Sequence, residues 1–437
     1  MAMSLTTPGK IRELQIKLYR KAKNEPGFRF YQLYDKVYRE DILNHAYALA
    51  RANDGAPGVD GQSFQDIESE GLAGWMNGLR EDLRNKTYQP QPVRRAMIEK
   101  RGGGERPLGI PTIRDRVVQT AAKLVLEPIW EAELEPSAYG YRPRRSAQGA
   151  IQKVDELLHE GYTDIVDADL SKYFDTIPHS ELLQCVARRI VDRHMLHLIK
   201  MWLKVPVEER DDDGKRRLTG GKDQDRGTPQ GGVISPGLAN LYMNRMLKGW
   251  RQTKQGEKLR AQIVNYADDF VILSRGKARE ALDWTGSVLE RLKLTLNAKK
   301  TSLRNAGREH FDFLGYTFGP HYSMRTGREY IGTSPSKRSV AKIKENVGDL
   351  LVPGNVAPWE EVCAKLNQKL RGWRAYFGYG ATTQAYRAVD AYVYDCVRHF
   401  LRRRHQVSSQ GTRQFPEERV FGSLGVVRLQ GPMVGRS

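Results

Sequence analysis

Two short acidic stretches are the places in this sequence where chemistry could be done. Residues 262–273 read QIVNYADDFVIL, with Asp268 and Asp269 side by side between apolar β-formers. Ile263 and Val264 precede them; Phe270, Val271, Ile272 and Leu273 follow. Strand-forming runs on both sides predict a tight hairpin with Tyr266-Ala267-Asp268-Asp269 at or near its turn. Adjacent carboxylates repel, and removing a lone carboxylate from water is costly. A hard divalent cation relieves both problems, because Mg²⁺ takes oxygen ligands and keeps positions for substrate phosphates. By itself such a turn reads as an ordinary solvated one. Residues 162–178, YTDIVDADLSKYFDTIP, shift that balance. Their alternating start predicts a strand that ends in Asp169. Phosphoryl transfer through two metal ions roughly 4 Å apart clamps the attacking and leaving oxygens, so it needs carboxylates from neighbouring strands. Asp169 and the Asp268/Asp269 pair supply such a set. They lie far apart in the sequence, so a folded sheet must bring them together.

The elements that would position them follow from the rest of the chain. The 437 residues predict two or three domains, and 39% apolar content is enough for sizeable cores. No window approaches the roughly 20 apolar residues of a membrane span, and MAMSLTTPGK at the start lacks an apolar signal core. The balance of 71 Lys+Arg over 52 Asp+Glu, net +19, points to a polyanionic partner, nucleic acid before a membrane surface. Cys185, Cys363 and Cys396 are too widely spaced for a zinc pair or a disulfide framework, which fits a reducing cytoplasm.

Thr7-Pro8 predicts a helix start, and a second helix is expected over about 30–52. NDGAPGVDG, residues 53–61, is a turn-rich break. Residues 93–116 predict strand, glycine turn and strand, with Lys100 and Arg106 flanking Gly102-Gly103-Gly104 so that two cations could close on a triphosphate. A plain basic hairpin is the alternative. SAYGYRPRRSAQGA (137–150) interleaves tyrosines with Arg142, Arg144 and Arg145, a mixture suited to a nucleic-acid backbone, or else a solvated turn. A helix over about 146–160 follows, capped by Ser146. Residues 208–226 are polar, with Asp211-Asp212-Asp213-Gly214 at a solvated turn. In RGTPQGG the glycines allow close backbone approach and Gln230 offers an amide. Helices are expected from about 235 and over about 277–294. Asn297 and Lys300 stand where they could touch backbone phosphate or simply lie on a surface strand. From Pro335 three apolar faces recur at helical spacing, and Arg402-Arg403-Arg404 forms a basic cluster suited to DNA or RNA phosphate.

Four stretches in order carry a resemblance. The chain resembles the reverse transcriptases of the group II intron maturase family, bacterial type. Tyr266-Ala267-Asp268-Asp269 matches that family's active-site box, and IVDADLSKYFDTIPH (165–179) the strand with the other metal ligand. RGTPQGGVISPGLANLYMN (226–244) matches the nucleotide-pocket segment, and FDFLGYTF (311–318) the primer-gripping hairpin. The resemblance implies an α+β right-hand polymerase with fingers, an antiparallel-sheet palm and a three-helix thumb. It divides the chain into an N-terminal helical extension (1–60), fingers and palm (61–325), a thumb/maturase domain (326–396) and a short basic tail (397–437).

It also implies RNA-directed DNA synthesis with two Mg²⁺ ions, Mn²⁺ as a substitute, on Asp169, Asp268 and Asp269. Lys100, Arg106, Phe174 and Gln230 would line the dNTP site, with Phe174 under the sugar. Leu314 and Gly315 would meet the primer, alongside Asn297 and Lys300. Lys337, Arg338, Arg142, Arg144, Arg145 and Arg402–404 would meet RNA or DNA. The implied partners are the parent group II intron RNA, an RNA template with DNA primer, target DNA and dNTPs; no membrane is implied. Glu99 stands where the family often has Pro, and Gly237 where it commonly has Leu. The cysteine pairs of the endonuclease domain that some members carry are missing, so no second-strand cleavage is expected. A defence or diversity-generating reverse transcriptase, an RNA-binding splicing factor and an RNA-dependent RNA polymerase are the competing readings.

Overall fold

The computed structural model describes residues 5–99, 105–210, 215–323 and 326–430. Among them eleven strands are found. In chain order these are β1 (Val93–Glu99), β2 (Glu105–Ile110), β3 (Asp164–Ala168), β4 (Val207–Arg210), β5 (Arg216–Thr219) and β6 (Ala261–Tyr266). They continue with β7 (Asp269–Ser274), β8 (Ser302–Asn305), β9 (Phe311–Phe313), β10 (Tyr316–Tyr322) and β11 (Glu329–Pro335).

The central sheet has the order β6-β7-β3-β8, antiparallel throughout, as the palm expectation required. Both of its faces are covered. Val166, Ile263, Phe270 and Ile272 join the main core with the helices Ser235–Gln252 and Ala278–Arg291. Ile165, Val264, Val271 and Leu273 pack instead with the helix Ala147–His159 and the sheet β11-β10-β9. This double burial explains why FVIL is a continuous apolar run rather than an alternating one. A third, mixed sheet has the order β2-β1-β4-β5; only β1 and β4 pair in parallel.

The helix Ile113–Glu133 anchors the N-terminal half, buried along most of its length against the helices Gly9–Asn24 and Glu40–Asn53. The single helix expected over 30–52 is two pieces, Tyr34–Val37 and Glu40–Asn53. Asp192 fixes the start of the first piece by accepting the backbone N–H groups of Leu33 and Tyr34, both at 2.8 Å. The helix Phe64–Asn85, which no sequence signal above singled out, opens with a reciprocal capping box between Ser63 and Asp66. The turn-rich 53–61 break is held rather than loose. Arg94 donates twice to the Pro57 carbonyl at 3.0 and 2.8 Å, and Arg116 donates to the carbonyls of Asp54 and Ala56.

Three helices, Lys337–Leu350, Trp359–Tyr376 and Thr383–Arg404, form the helical unit expected after Pro335. The break placed at 396/397 is not seen: the last helix runs straight through it. Phe415, Val420, Val426 and Leu429 are buried in the same core as Val362, Leu366 and Val393. Asp390 accepts the N–H groups of Leu429 (2.8 Å) and Gln430 (3.1 Å), while Asn367 bonds Gly425 and Val427, each at 2.7 Å. Residues 397–430 therefore belong to the helical unit and are not a separate tail. No described helix is long and apolar enough to cross a membrane.

Candidate active site

The hairpin β6–β7 closes between Tyr266 and Asp269, which pair across it, so Ala267 and Asp268 are the two turn residues. Ala267 adopts φ +59°, a conformation the tight hairpin demands and alanine resists. The surroundings over-determine it. Asn265, 1% exposed, donates its amide to the Ala267 carbonyl at 2.8 Å. Residues 137–139 run beside β6, with Tyr139 N–H to Asn265 O at 2.8 Å and Asn265 N–H to Ser137 O at 2.9 Å. Gly140 lies against the turn so closely that a Cβ there would sit 2.5 Å from the Ala267 nitrogen. Asn240, on the helix Ser235–Gln252, holds the Gly140 carbonyl.

The strand β3 carries the third carboxylate to this turn. Its pairing with β7 ends at Ala168 opposite Phe270, and the next antiparallel pair in that register is Asp169 with Asp269. Directly opposed residues place their Cβ atoms about 5 Å apart, within reach of a shared cation. The electrostatics agree. Asp269 keeps a solvent-exposed face, yet desolvation by the atoms crowded around its carboxyl, then the charges of Asp268, Asp169 and Asp167, push it up to about 7, with Lys300 opposing. Asp167 is pushed up to about 6 by burial, against the pull of Arg304. Among the described residues no group of three or more His, Cys, Asp or Glu side chains is arranged so that it could hold a metal ion by itself. A divalent cation would relieve the repulsion gathered on Asp269.

The raised carboxyl has a measurable sign. The folded state holds its proton more tightly than the unfolded chain does, so stability falls as pH rises from about 4 to about 7. Thermal unfolding in EDTA should show Tm dropping over that window. Asp269→Asn should flatten the drop, and Mg²⁺ should restore wild-type Tm at neutral pH more than it restores that of the variant. A wild-type slope in Asp269→Asn would contradict the assignment.

The pocket segment is stitched to the chain just beyond Asp169. Thr228 N–H bonds Phe174 O at 2.7 Å, Gly227 N–H bonds Ile177 O at 2.8 Å, and His179 N–H bonds Asp225 O at 2.8 Å. The ring of His179, buried at 4% exposure, adds a 2.6 Å bond to the Gly227 carbonyl, which fixes Nε2 as its donor. Gln230 donates to Asp175 at 2.7 Å, and both line an approximately 230 Å³ cavity together with Gly109, Thr228 and Pro229. Phe174 is 8% exposed and meets Tyr173 edge to face. Gly237 has a packing reason: a Cβ there would lie 2.8 Å from the indole of Trp130. The bulky indole fills the space that Leu would take.

Other candidates fare unevenly. Lys100 lies outside the described residues, as do Asp211–Gly214; Arg106 is placed by its backbone in β2, opposite Ile98. Arg142 is a correction: its side chain is 5% exposed, bidentate to Glu131 at 2.7 and 2.9 Å, and bonded to the carbonyls of Glu135 and Ala138. It braces the 135–142 loop, and its charge is answered by Glu131. Arg144 and Arg145 are exposed, Arg145 lying over the Tyr139 ring. Lys337 and Arg338 are exposed on the first turn of their helix.

Of the arginine triplet, Arg402 bonds Val407 and Gln410, and Arg404 bonds the carbonyls of Val356 and Ala357; Arg403 is exposed. Arg402 and Arg404 thus tie loops to the helix. Leu314 (φ +50°) and Gly315 (φ +83°) form the two-residue turn of β9–β10. The close approach at Gly315 is made by the helical unit: a Cβ would meet Ser339 Oγ at 3.0 Å and Phe377 at 3.2 Å. Asn297 and Lys300 both reach Asp169, at 3.0 and 3.3 Å. No local sequence pattern signals that pairing, nor the supports Asn265, Asn240 and Gly140.

Residues 98–318 match the family described as "Reverse transcriptase (RNA-dependent DNA polymerase)". The chain belongs to the reverse transcriptase family. Residues 340–415 match "Group II intron, maturase-specific domain", so this reverse transcriptase is of the intron-encoded, maturase-bearing kind. It is 34% identical over 366 residues to Protein YkfC of Escherichia coli (strain K12), covering 75% of this chain and 93% of that protein. It is also 34% identical over 228 residues to the group II intron-encoded protein LtrA of Lactococcus lactis subsp. cremoris, covering 52% of this chain but 36% of LtrA. Telomerase from Candida albicans aligns with 82% of this chain and 67% of its own at 15% identity and a TM-score of 0.43. The reverse transcriptase assignment makes this chain an RNA-directed DNA polymerase.

Proposed function

We propose that this reverse transcriptase copies RNA into DNA at the shared end of strands β3 and β7 and binds its parent group II intron RNA to assist splicing and mobility. The observation that carries the reading is the register that sets Asp169 opposite Asp269 beside the Asp268 turn. The reaction is attack of the primer 3′-hydroxyl oxygen on the α-phosphorus of a dNTP. The new P–O bond forms as the bond to pyrophosphate breaks, and the hydroxyl proton leaves to solvent. Asp169 and Asp268 would hold two Mg²⁺ ions, or Mn²⁺, with Asp269 completing the acidic set; bound, the ions supply charge neutralisation at the transferring phosphate. The protein's own share is positioning. Lys100 and Arg106 hold the triphosphate, Phe174 backs the sugar, Gln230 edges the pocket, and Leu314 faces the primer. Exposed Lys337, Arg338, Arg403, Arg144 and Arg145 are the cations proposed for intron RNA and target DNA, and the cytoplasm is the proposed compartment. The maturase-specific match over 340–415 favours this reading over a defence or diversity-generating enzyme.

The direct test is extension of a DNA primer on an RNA template by purified protein, with self-splicing of the parent intron at low Mg²⁺ measured with and without it. Phe174→Ala probes the pocket. A ring under the sugar leaves no room for a 2′-hydroxyl, so the variant should incorporate ribonucleotides at least ~10-fold better relative to deoxynucleotides, about 1.4 kcal/mol of discrimination. Unchanged sugar selectivity would remove Phe174 from that role.

A further inference from the structure

The stretch after the helix Ala278–Arg291 folds back along the catalytic strand. Ser171 N–H bonds Thr295 O at 2.9 Å, Leu170 bridges Leu296, and Asn297 N–H bonds Asp169 O at 2.8 Å. Asn297 then uses both ends of its carboxamide. Its Oδ1 accepts the Lys299 N–H at 3.2 Å, and its Nδ2 donates to Asp169 Oδ2 at 3.0 Å. The Lys299 contact settles the amide's orientation, because only oxygen can accept there. Lys300 reaches the same Oδ2 at 3.3 Å. Its side chain is 66% exposed, so this ion pair is weak and easily exchanged.

We propose that Asn297 is the positioning residue for Asp169, and that Lys300 is a displaceable counter-charge standing on that carboxylate until a divalent cation arrives. The inference rests on the reading of Asp169 as a cation ligand. Asn297 fixes one carboxylate oxygen from a rigid turn and so sets the direction of the other. A partner of this kind behind a ligand typically changes metal affinity or activity by about 10–100-fold. Lys300 acts oppositely: it screens Asp169 in the free protein and competes with the cation.

The test is direct Mn²⁺ binding to the full chain by electron paramagnetic resonance, paired with thermal unfolding and primer extension. Asn297→Ala and Asn297→Ser should each weaken Mn²⁺ binding by roughly 10–100-fold. Serine can still accept the Lys299 N–H and keep the turn, so Asn297→Ser should be as deficient as Asn297→Ala while holding a near-wild-type Tm. Recovery of affinity in Asn297→Ser alone would show a turn-forming role and overturn the proposal. Lys300→Met should tighten Mn²⁺ binding by roughly 2- to 5-fold, the range of an exposed pair; unchanged or weaker binding would overturn the counter-charge. Asp169→Asn separates the two levels. If it binds Mn²⁺ and extends primers normally, the proposed function fails. If it loses both while the Asn297 variants behave as wild type, only this inference fails.

Discussion

Asp268→Ala should lower primer extension by roughly a thousandfold or more while leaving RNA affinity within about twofold of wild type. The first figure follows from the work assigned to the carboxylate. Metal-assisted charge stabilisation supplies several kcal/mol, and each 1.4 kcal/mol is about tenfold in rate. The second follows from where affinity arises. Binding to a polyanion is spread over many cations on a chain of net +19, and removing one acidic turn residue leaves that summed charge no less positive. Extension rates with a fixed RNA–DNA duplex and anisotropy titrations at constant salt give the two numbers. Extension within tenfold of wild type would take Asp268 out of the cation site. A parallel collapse of RNA affinity would mean that the substitution had unfolded the palm.

Gly140→Ala should be nearly as damaging although residue 140 touches no substrate in the proposed reaction. The added methyl would meet Ala267 N at 2.5 Å and the Tyr266 carbonyl carbon at 3.1 Å, both of them backbone atoms. No flexible side chain is there to yield, so the Ala267-Asp268 turn must move or the 137–140 stretch must lift away. Overpacking of this kind costs about 1–3 kcal/mol of stability, and a displacement of about 1 Å at a reacting group can cost roughly 10²-fold in rate. Gly149→Ala is the matched control. It lies in the neighbouring helix, where a Cβ finds its nearest atom at an ordinary 3.5 Å, and it should be close to neutral in both Tm and rate. Equal behaviour of the two variants would show that the turn is not held from that side.

These cases mark what could be read from the residues alone. The hairpin at 262–273 was legible because its signal is local: β-formers flank two polar positions, and the pairing of Tyr266 with Asp269 is what that pattern predicts. Asp169 was legible as the end of a strand. Its alignment with Asp269 depends on β3 inserting between β7 and β8, which no local pattern encodes. The arginines show the opposite failure. Arg142, Arg402 and Arg404 contribute to the charge that points to nucleic acid, yet their guanidinium groups are bonded to Glu131, to Gln410 or to backbone carbonyls. Charge counts do not distinguish a cation that braces a loop from one that meets a ligand. Asn297 and Lys300 looked like surface residues because their partner lies more than a hundred positions upstream.

The pinning of Gly425–Gln430 onto Asn367 and Asp390 bears on how the protein can be dismantled. A truncation at residue 396, where composition suggests a natural seam, would slice a helix and strip Val397, Phe400, Leu401 and Leu429 from their neighbours. The fragment left behind would present a sticky apolar wall and aggregate on purification. An appended reporter or affinity handle belongs beyond Gln430, where that wall is already sealed.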